Sequence, residues 1–164
     1  MIQRAQTVYL GLAFICMVLL LFFPVFSVEM VREGVTLTAE VGKDGVVGEG
    51  FTSGQFPLYI VYIVLALMSM ATILMFKNRP RQLLLARVNL VLHVLVVLAI
   101  YIFYYFGKSM VQEGVDLAGE VATKVTFFMG VGFFLLIPTV AFILLAVRGI
   151  KRDEILVKSL DRLR

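Results

Sequence analysis

His93 is the only histidine in the chain, and it stands four residues after Asn89 in a stretch, 88–106, that holds no Lys, Arg, Asp or Glu. That spacing stacks the two side chains on one helix face. An imidazole in an apolar helix can relay a proton or take a ligand, since ionisable groups in such segments usually have a task. The plainer reading is a neutral ring that makes one hydrogen bond to a neighbouring helix. With no second Lys, Arg, Asp, Glu or His in any apolar run, the plainer reading is preferred. Four acids form another candidate: Glu33 and Glu40 recur eighty residues later as Glu113 and Glu120. Brought together they would resemble a carboxylate cluster for Ca²⁺. Pairing with Arg32 or Lys124, or hydration, is the simpler fate of such groups. Residues 42–50 are glycine-rich but lack the Gly-Lys-Ser/Thr ending of a phosphate loop, so they read as a flexible connection. Gly130 and Gly132 read as close-packing positions. A single cysteine, Cys16, excludes an internal disulfide or a cysteine-based zinc site. No Ser-His-Asp set, His-Glu-x-x-His pattern or pair of intramembrane carboxylates is present, so neither an enzyme nor a cofactor or metal is expected.

The elements that must position these residues are dominated by four apolar runs, 8–26, 58–76, 88–106 and 127–147, each free of Lys, Arg, Asp and Glu. About 20 apolar residues in helical form cross a hydrocarbon core. Inside lipid every backbone N–H and C=O must be satisfied within the segment, so helix is the expected state of each run. The mean hydropathy of +0.99 agrees with an all-α membrane protein built as a four-helix bundle. Pro24 and Pro57 fall at run ends, where a missing donor costs little, and Pro138 lies inside the fourth run, where it predicts a kink. The first run is longer than the apolar part of a signal peptide and is read as a retained helix.

The formal charge of +4 does not mark a nucleic-acid binder, because the basic residues flank the apolar runs instead of forming one patch. Arg4, Lys77, Arg79, Arg81, Arg87, Arg148, Lys151, Arg152, Lys158, Arg162 and Arg164 lie on one side of the alternating runs. Only Arg32, Lys43, Lys108 and Lys124 lie on the other. Eleven of fifteen basic residues on one side orient the chain with both termini in the cytoplasm.

Residues 30–41 read MVREGVTLTAEV and residues 110–121 read MVQEGVDLAGEV, identical at eight of twelve positions. The same offset aligns the first apolar run with the third. This predicts a tandem, parallel repeat of a helix–loop–helix unit, with copies at about 1–80 and 81–150 and a tail at 151–164. Apolar residues alternate in Val35, Leu37, Ala39, Val41 and again in Val115, Leu117, Gly119, Val121, and period two predicts a half-buried strand in each copy. Gly42-Lys43-Asp44-Gly45 fits a hairpin turn into Val46-Val47. A lone short strand is unstable, so the copies are expected to pair in a small sheet on the non-cytoplasmic side.

After Arg148-Gly149 the tail is expected to form a separate short amphipathic helix capped by Asp153, with Leu156, Leu160 and Leu163 on one face. Arg152 and Lys158 border that face. The stripe suits a bilayer surface with anionic headgroups or a groove in a membrane-protein partner.

The stretches Met1-Ile2-Gln3-Arg4, Phe22-Phe23-Pro24, Phe76-Lys77-Asn78-Arg79, Arg87 with Asn89, and above all the ending RGIKRDEILVKSLDRLR carry a resemblance across nearly the whole chain. The sequence resembles a family of small four-helix integral membrane proteins from Bacteroidetes known only as a domain of unknown function. The resemblance implies a bacterial inner-membrane protein and supplies no catalytic residue, cofactor or substrate. Small size and the absence of catalytic groups lead to the expectation of an accessory or scaffold subunit of a membrane complex. The alternative is a binder or carrier of a lipid or small apolar ligand between the two repeats, with Pro138, Gly130, Gly132 and His93 along its wall.

Overall fold

A computed structural model describes residues 2–32, 35–48, 57–117 and 125–161. The first apolar run makes helix α1, Ile2–Leu19. It stops earlier than the expected end at 26, and the chain tightens through Leu21 N–H to Val18 O and Phe22 N–H to Leu19 O before reaching Pro24. Proline has no N–H and a fixed φ, so it cannot continue the ladder. Val25 instead donates to Val41 O at 2.7 Å, and strand β1, Phe26–Arg32, follows.

Strand β2, Val35–Gly42, pairs antiparallel with β1 in the register Phe26↔Val41 to Arg32↔Val35. The turn at Lys43-Asp44 brings β3, Gly45–Gly48, back along β2. The alternation in the sequence has the expected result. Val28, Ala39 and Val41 are buried with Phe26, while Thr36, Thr38 and Glu40 are exposed.

Helix α2, Leu58–Leu74, leads through a single 3₁₀ turn, Met75–Lys77, into helix α3, Arg79–Leu117. At 39 residues α3 far outruns its apolar run 88–106, and it includes Val115–Leu117, which the alternation assigns to a strand. Residues 118–121 of that expected strand lie outside the described residues. The partner that β1 takes on its other side is β4, Val125–Met129, in the register Phe26↔Met129 to Met30↔Val125. The four-stranded order is therefore β3-β2-β1-β4. Helix α4, Val131–Asp161, then runs 31 residues without a break, passing through Pro138 and into the tail. The separate tail helix expected after Gly149 is the continuation of α4.

Two copies of one motif thus take different structures: residues 30–32 and 35–41 are strand, and residues 110–117 are helix. Three stretches, Leu58–Lys77, Arg79–Gly107 and Val131–Val157, are long and apolar enough to cross a membrane. Helix α1 offers a shorter apolar stretch, Ala5–Leu19. The helices alternate in direction, so the sheet caps one end of the bundle. The beginning of α1, the α2–α3 turn and the end of α4 lie at the other.

The larger core joins the helices to the sheet through Met17, Leu20, Phe26, Val28, Val41, Tyr62, Leu65, Ile100 and Leu136. Phe26, Tyr104 and Phe127 stack edge to face across it, with centroids 6.1 and 5.9 Å apart, the geometry that aromatic quadrupoles prefer. Glycine has a steric task where α4 begins. Gly130 and Gly132 donate to Val25 O and Pro24 O, each at 2.9 Å, and a Cβ on Gly130 would stand 2.4 Å from the Pro24 carbonyl oxygen. A smaller core of Leu83, Ala86 and Ile150, with Val147, closes the opposite end.

Candidate functional site

Small polar side chains in an apolar helix first satisfy themselves on their own backbone. The hydroxyls of Ser69, Thr72 and Thr139 donate to the carbonyls of Leu65, Met68 and Leu135, each four residues back, at 3.1, 2.7 and 2.8 Å. Ser69 Oγ then keeps a lone pair, and Asn89 Nδ2 donates to it at 2.9 Å, joining α3 to α2. Farther toward the α2–α3 turn, Gln82 Nε2 donates to the Thr72 carbonyl at 3.1 Å. Gln82, Asn89 and His93 share one face of α3 by spacing, and Thr72, Ser69 and Tyr62 share one face of α2. All six are buried, so a polar seam runs along an otherwise apolar interface.

His93 lies at the inner part of the seam. Its Nδ1 is 2.8 Å from Asn89 O. A carbonyl only accepts, so Nδ1 is the donor in this contact. The sequence spacing of Asn89 and His93 foretold their proximity, and the contact is one of ring nitrogen to backbone. His93 Nε2, Asn89 Oδ1 and Tyr62 OH are buried without a hydrogen-bond partner.

A second cluster sits at the end of the bundle away from the sheet. Asp153 Oδ2 accepts from Gln6 Nε2 at 2.8 Å and lies 3.7 Å from Arg79 Nη1. Asp153 and Gln6 are buried, 8% and 4% exposed, and Gly149 makes room for the Gln6 side chain, since a Cβ there would meet Gln6 Cγ at 2.8 Å. Asp153 is thus an interior residue of α4 that clamps α1 and α3, and it does not cap a helix. Sequence reasoning missed this role. The available signal was an acid embedded in the most basic part of the chain.

Beyond the clamp, Ile155, Leu156 and Val157 are exposed on α4, next to exposed Lys151 and Arg152. The backbone of Lys158 and Leu160 belongs to the last turns of α4, and their side chains, with Leu163, lie outside the described residues. At the sheet end, Glu40 is exposed on β2. The backbone of Glu113 lies in α3, its side chain outside the described residues, as are Glu33 and Glu120 altogether. Among the described residues no group of three or more His, Cys, Asp or Glu is placed to hold a metal ion. A groove of about 230 Å³ opens where α1 meets the hairpin, lined by Leu21, Phe22, Phe23, Pro24, Glu40, Gly42, Lys43, Asp44 and Val47.

The family model DUF4293, described as a domain of unknown function, matches residues 2–163. No curated protein matches the chain. The chain belongs to the DUF4293 family, and that membership carries no activity with it.

Proposed function

We propose that this protein is a bacterial inner-membrane protein that crosses the bilayer four times and serves as an accessory or scaffold subunit of a membrane complex. Three of the crossings are the long apolar helices, and α1, packed against α2 and α4, makes the fourth. Both termini and the α2–α3 turn are read as cytoplasmic, because the basic residues gather at that end. The sheet then lies on the other side. No catalytic role belongs to this reading.

The observation that carries the scaffold reading is the outer part of α4. A 31-residue helix is roughly 46 Å long at 1.5 Å per residue, well beyond a hydrocarbon core of roughly 30 Å. The clamp on Asp153 fixes the direction of the protruding turns relative to α1 and α3. Those turns present Ile155, Leu156 and Val157 beside Lys151 and Arg152. A pre-set helix loses little entropy on docking, so it suits a partner's groove. The test is purification of the native protein in a gentle detergent, with co-purifying proteins and lipids identified by mass spectrometry. Loss of a protein partner in Leu156→Ala supports the reading. Loss in Arg152→Glu alone points to anionic headgroups as the main contact.

The alternative, a binder or carrier of a lipid or small apolar ligand, draws support from the groove at Phe22, Phe23 and Val47, whose apolar lining lies beside Lys43 and Asp44. It draws none from Gly130 and Gly132, which close tightly on Pro24. Co-purification of a lipid that is lost in Val47→Glu, with no protein partner, would favour it.

A further inference from the structure

We propose that the groove between the end of α1 and the β2–β3 hairpin seats the headgroup of one outer-leaflet phospholipid, a zwitterionic lipid that carries a phosphate and a primary ammonium. The inference rests on the four-crossing reading above and gives the lipid-binding alternative a ligand class. At 1.5 Å per residue the 18 residues of α1 span about 27 Å, so a hydrocarbon core of about 30 Å runs out just past Leu19. The groove therefore lies where acyl chains meet headgroups. Phe22, Phe23 and Val47, 75%, 40% and 61% exposed, give it an apolar wall, and Glu40, Lys43 and Asp44 give it charge. The register Glu40↔Val47 sets an acid beside an apolar side chain on one face of the hairpin.

The site is formed before a ligand arrives. Val25 N–H donates to Val41 O at 2.7 Å and Tyr59 N–H donates to Lys43 O at 2.9 Å, so the hairpin is tied both to the chain leaving α1 and to the start of α2. A fixed site loses little entropy on binding. Its volume of about 230 Å³ is below the roughly 300–1,000 Å³ of a pocket that encloses a whole small molecule, so it suits a headgroup whose chains stay in the bilayer. Charge then selects the headgroup. Among the described residues none of Glu40, Lys43 and Asp44 is ion-paired, which leaves one ammonium and two carboxylates to be matched. A purely anionic headgroup would meet two carboxylates for one lysine. A quaternary ammonium brings charge but no N–H, whereas a primary ammonium offers the acids three donors while its neighbouring phosphate suits Lys43. Lys43 beside the acids also works against a divalent cation.

The test equilibrates full-length protein in vesicles of phosphatidylethanolamine, phosphatidylglycerol and phosphatidylcholine in equal parts, and native mass spectrometry identifies the lipid retained after gentle detergent extraction. One phosphatidylethanolamine per chain is expected, favoured over each competitor by about fivefold, the discrimination one exposed ion pair supplies. Lys43→Gln should erase the preference, and so should Glu40→Gln combined with Asp44→Asn. All three side chains are exposed, so the fold tolerates these changes. A preference for phosphatidylglycerol overturns the proposal, as does an ethanolamine preference that survives the variants, or a co-purifying peptide that displaces lipid. A lipid retained without headgroup preference and lost in Val47→Glu overturns the headgroup assignment and leaves the lipid-binding reading standing. Retention of no lipid overturns both. A cytoplasmic signal from a reporter at Gly45 overturns the proposal at its premise, the outer placement of this end.

Discussion

Replacing Asp153 with alanine takes away the acceptor of the Gln6 amide and the partner of Arg79 in one step. A hydrogen bond to a charged group is worth about 1.5–3 kcal/mol. Arg79 is 31% exposed, and water screens its share, so most of the loss comes from Gln6. Asp153→Ala should therefore lower stability by about 1.5–3 kcal/mol, seen as a lower thermal midpoint in detergent. Asp153→Asn, which keeps an acceptor oxygen, should lose less. Equal midpoints for all three proteins would remove the clamp from the account. Gly130→Ala sets a Cβ against the Pro24 carbonyl and should destabilise by about 1–3 kcal/mol through overpacking. Gly11→Ala, with open space around its Cβ, should be neutral or better in the same assay. Of these residues the sequence revealed only some roles. The i, i+4 spacing exposed Asn89 with His93, and the glycines read correctly as close-packing positions. Ser69 was not found, because one serine among apolar neighbours carries no sign of its partner. Asp153 was misread because Gly149 before it imitates a helix end.

Among the elements, the apolar runs were legible because length and the absence of charge suffice for a lipid-compatible helix. Strand β4 was not: Val125-Thr126-Phe127-Phe128-Met129 is β-branched and aromatic, and at its apolar end it merges with the run that becomes α4. The repeat misled for a traceable reason. At the offset of eighty residues Pro24 aligns with Tyr104, so the breaker that ends α1 has no counterpart in the third run. Helix α3 goes on into the second motif, and a short alternating pattern yields to the helix already under way. The continuity of α4 sets a third prediction, on truncation. A stop after Ile150 removes Asp153 and should destabilise the bundle much as Asp153→Ala does, whereas a stop after Val157 keeps the clamp and should leave the thermal midpoint unchanged. A fully stable protein ending at Ile150 would show that the tail has no structural duty.

For the whole molecule, the proposed orientation makes reporters fused after Arg79 and Arg164 cytoplasmic and reporters at Gly45 and Asp116 external. An internal signal at Gly45 would invert the arrangement of bundle and sheet. The charge asymmetry was plain in the sequence because the two sides differ in Lys and Arg. The end-to-end closure was hidden, since nothing local in the chain says that β1 pairs with β4 or that Gln6 meets Asp153.

That closure has a consequence for biogenesis. Met129, the register partner of Phe26, emerges from the ribosome about a hundred residues after it. At ordinary elongation rates this leaves β1 with one side of its ladder unfilled for on the order of ten seconds. An unpaired strand side recruits other strands, and the chain is then a three-stranded sheet whose last place any β segment can take. The first and last helices, joined through Gln6 and Asp153, must likewise wait for the end of synthesis. Assembly is thus a latch that shuts from both ends of the bundle at once. Nascent chains halted before β4 should be the species that associate with one another or with a membrane chaperone.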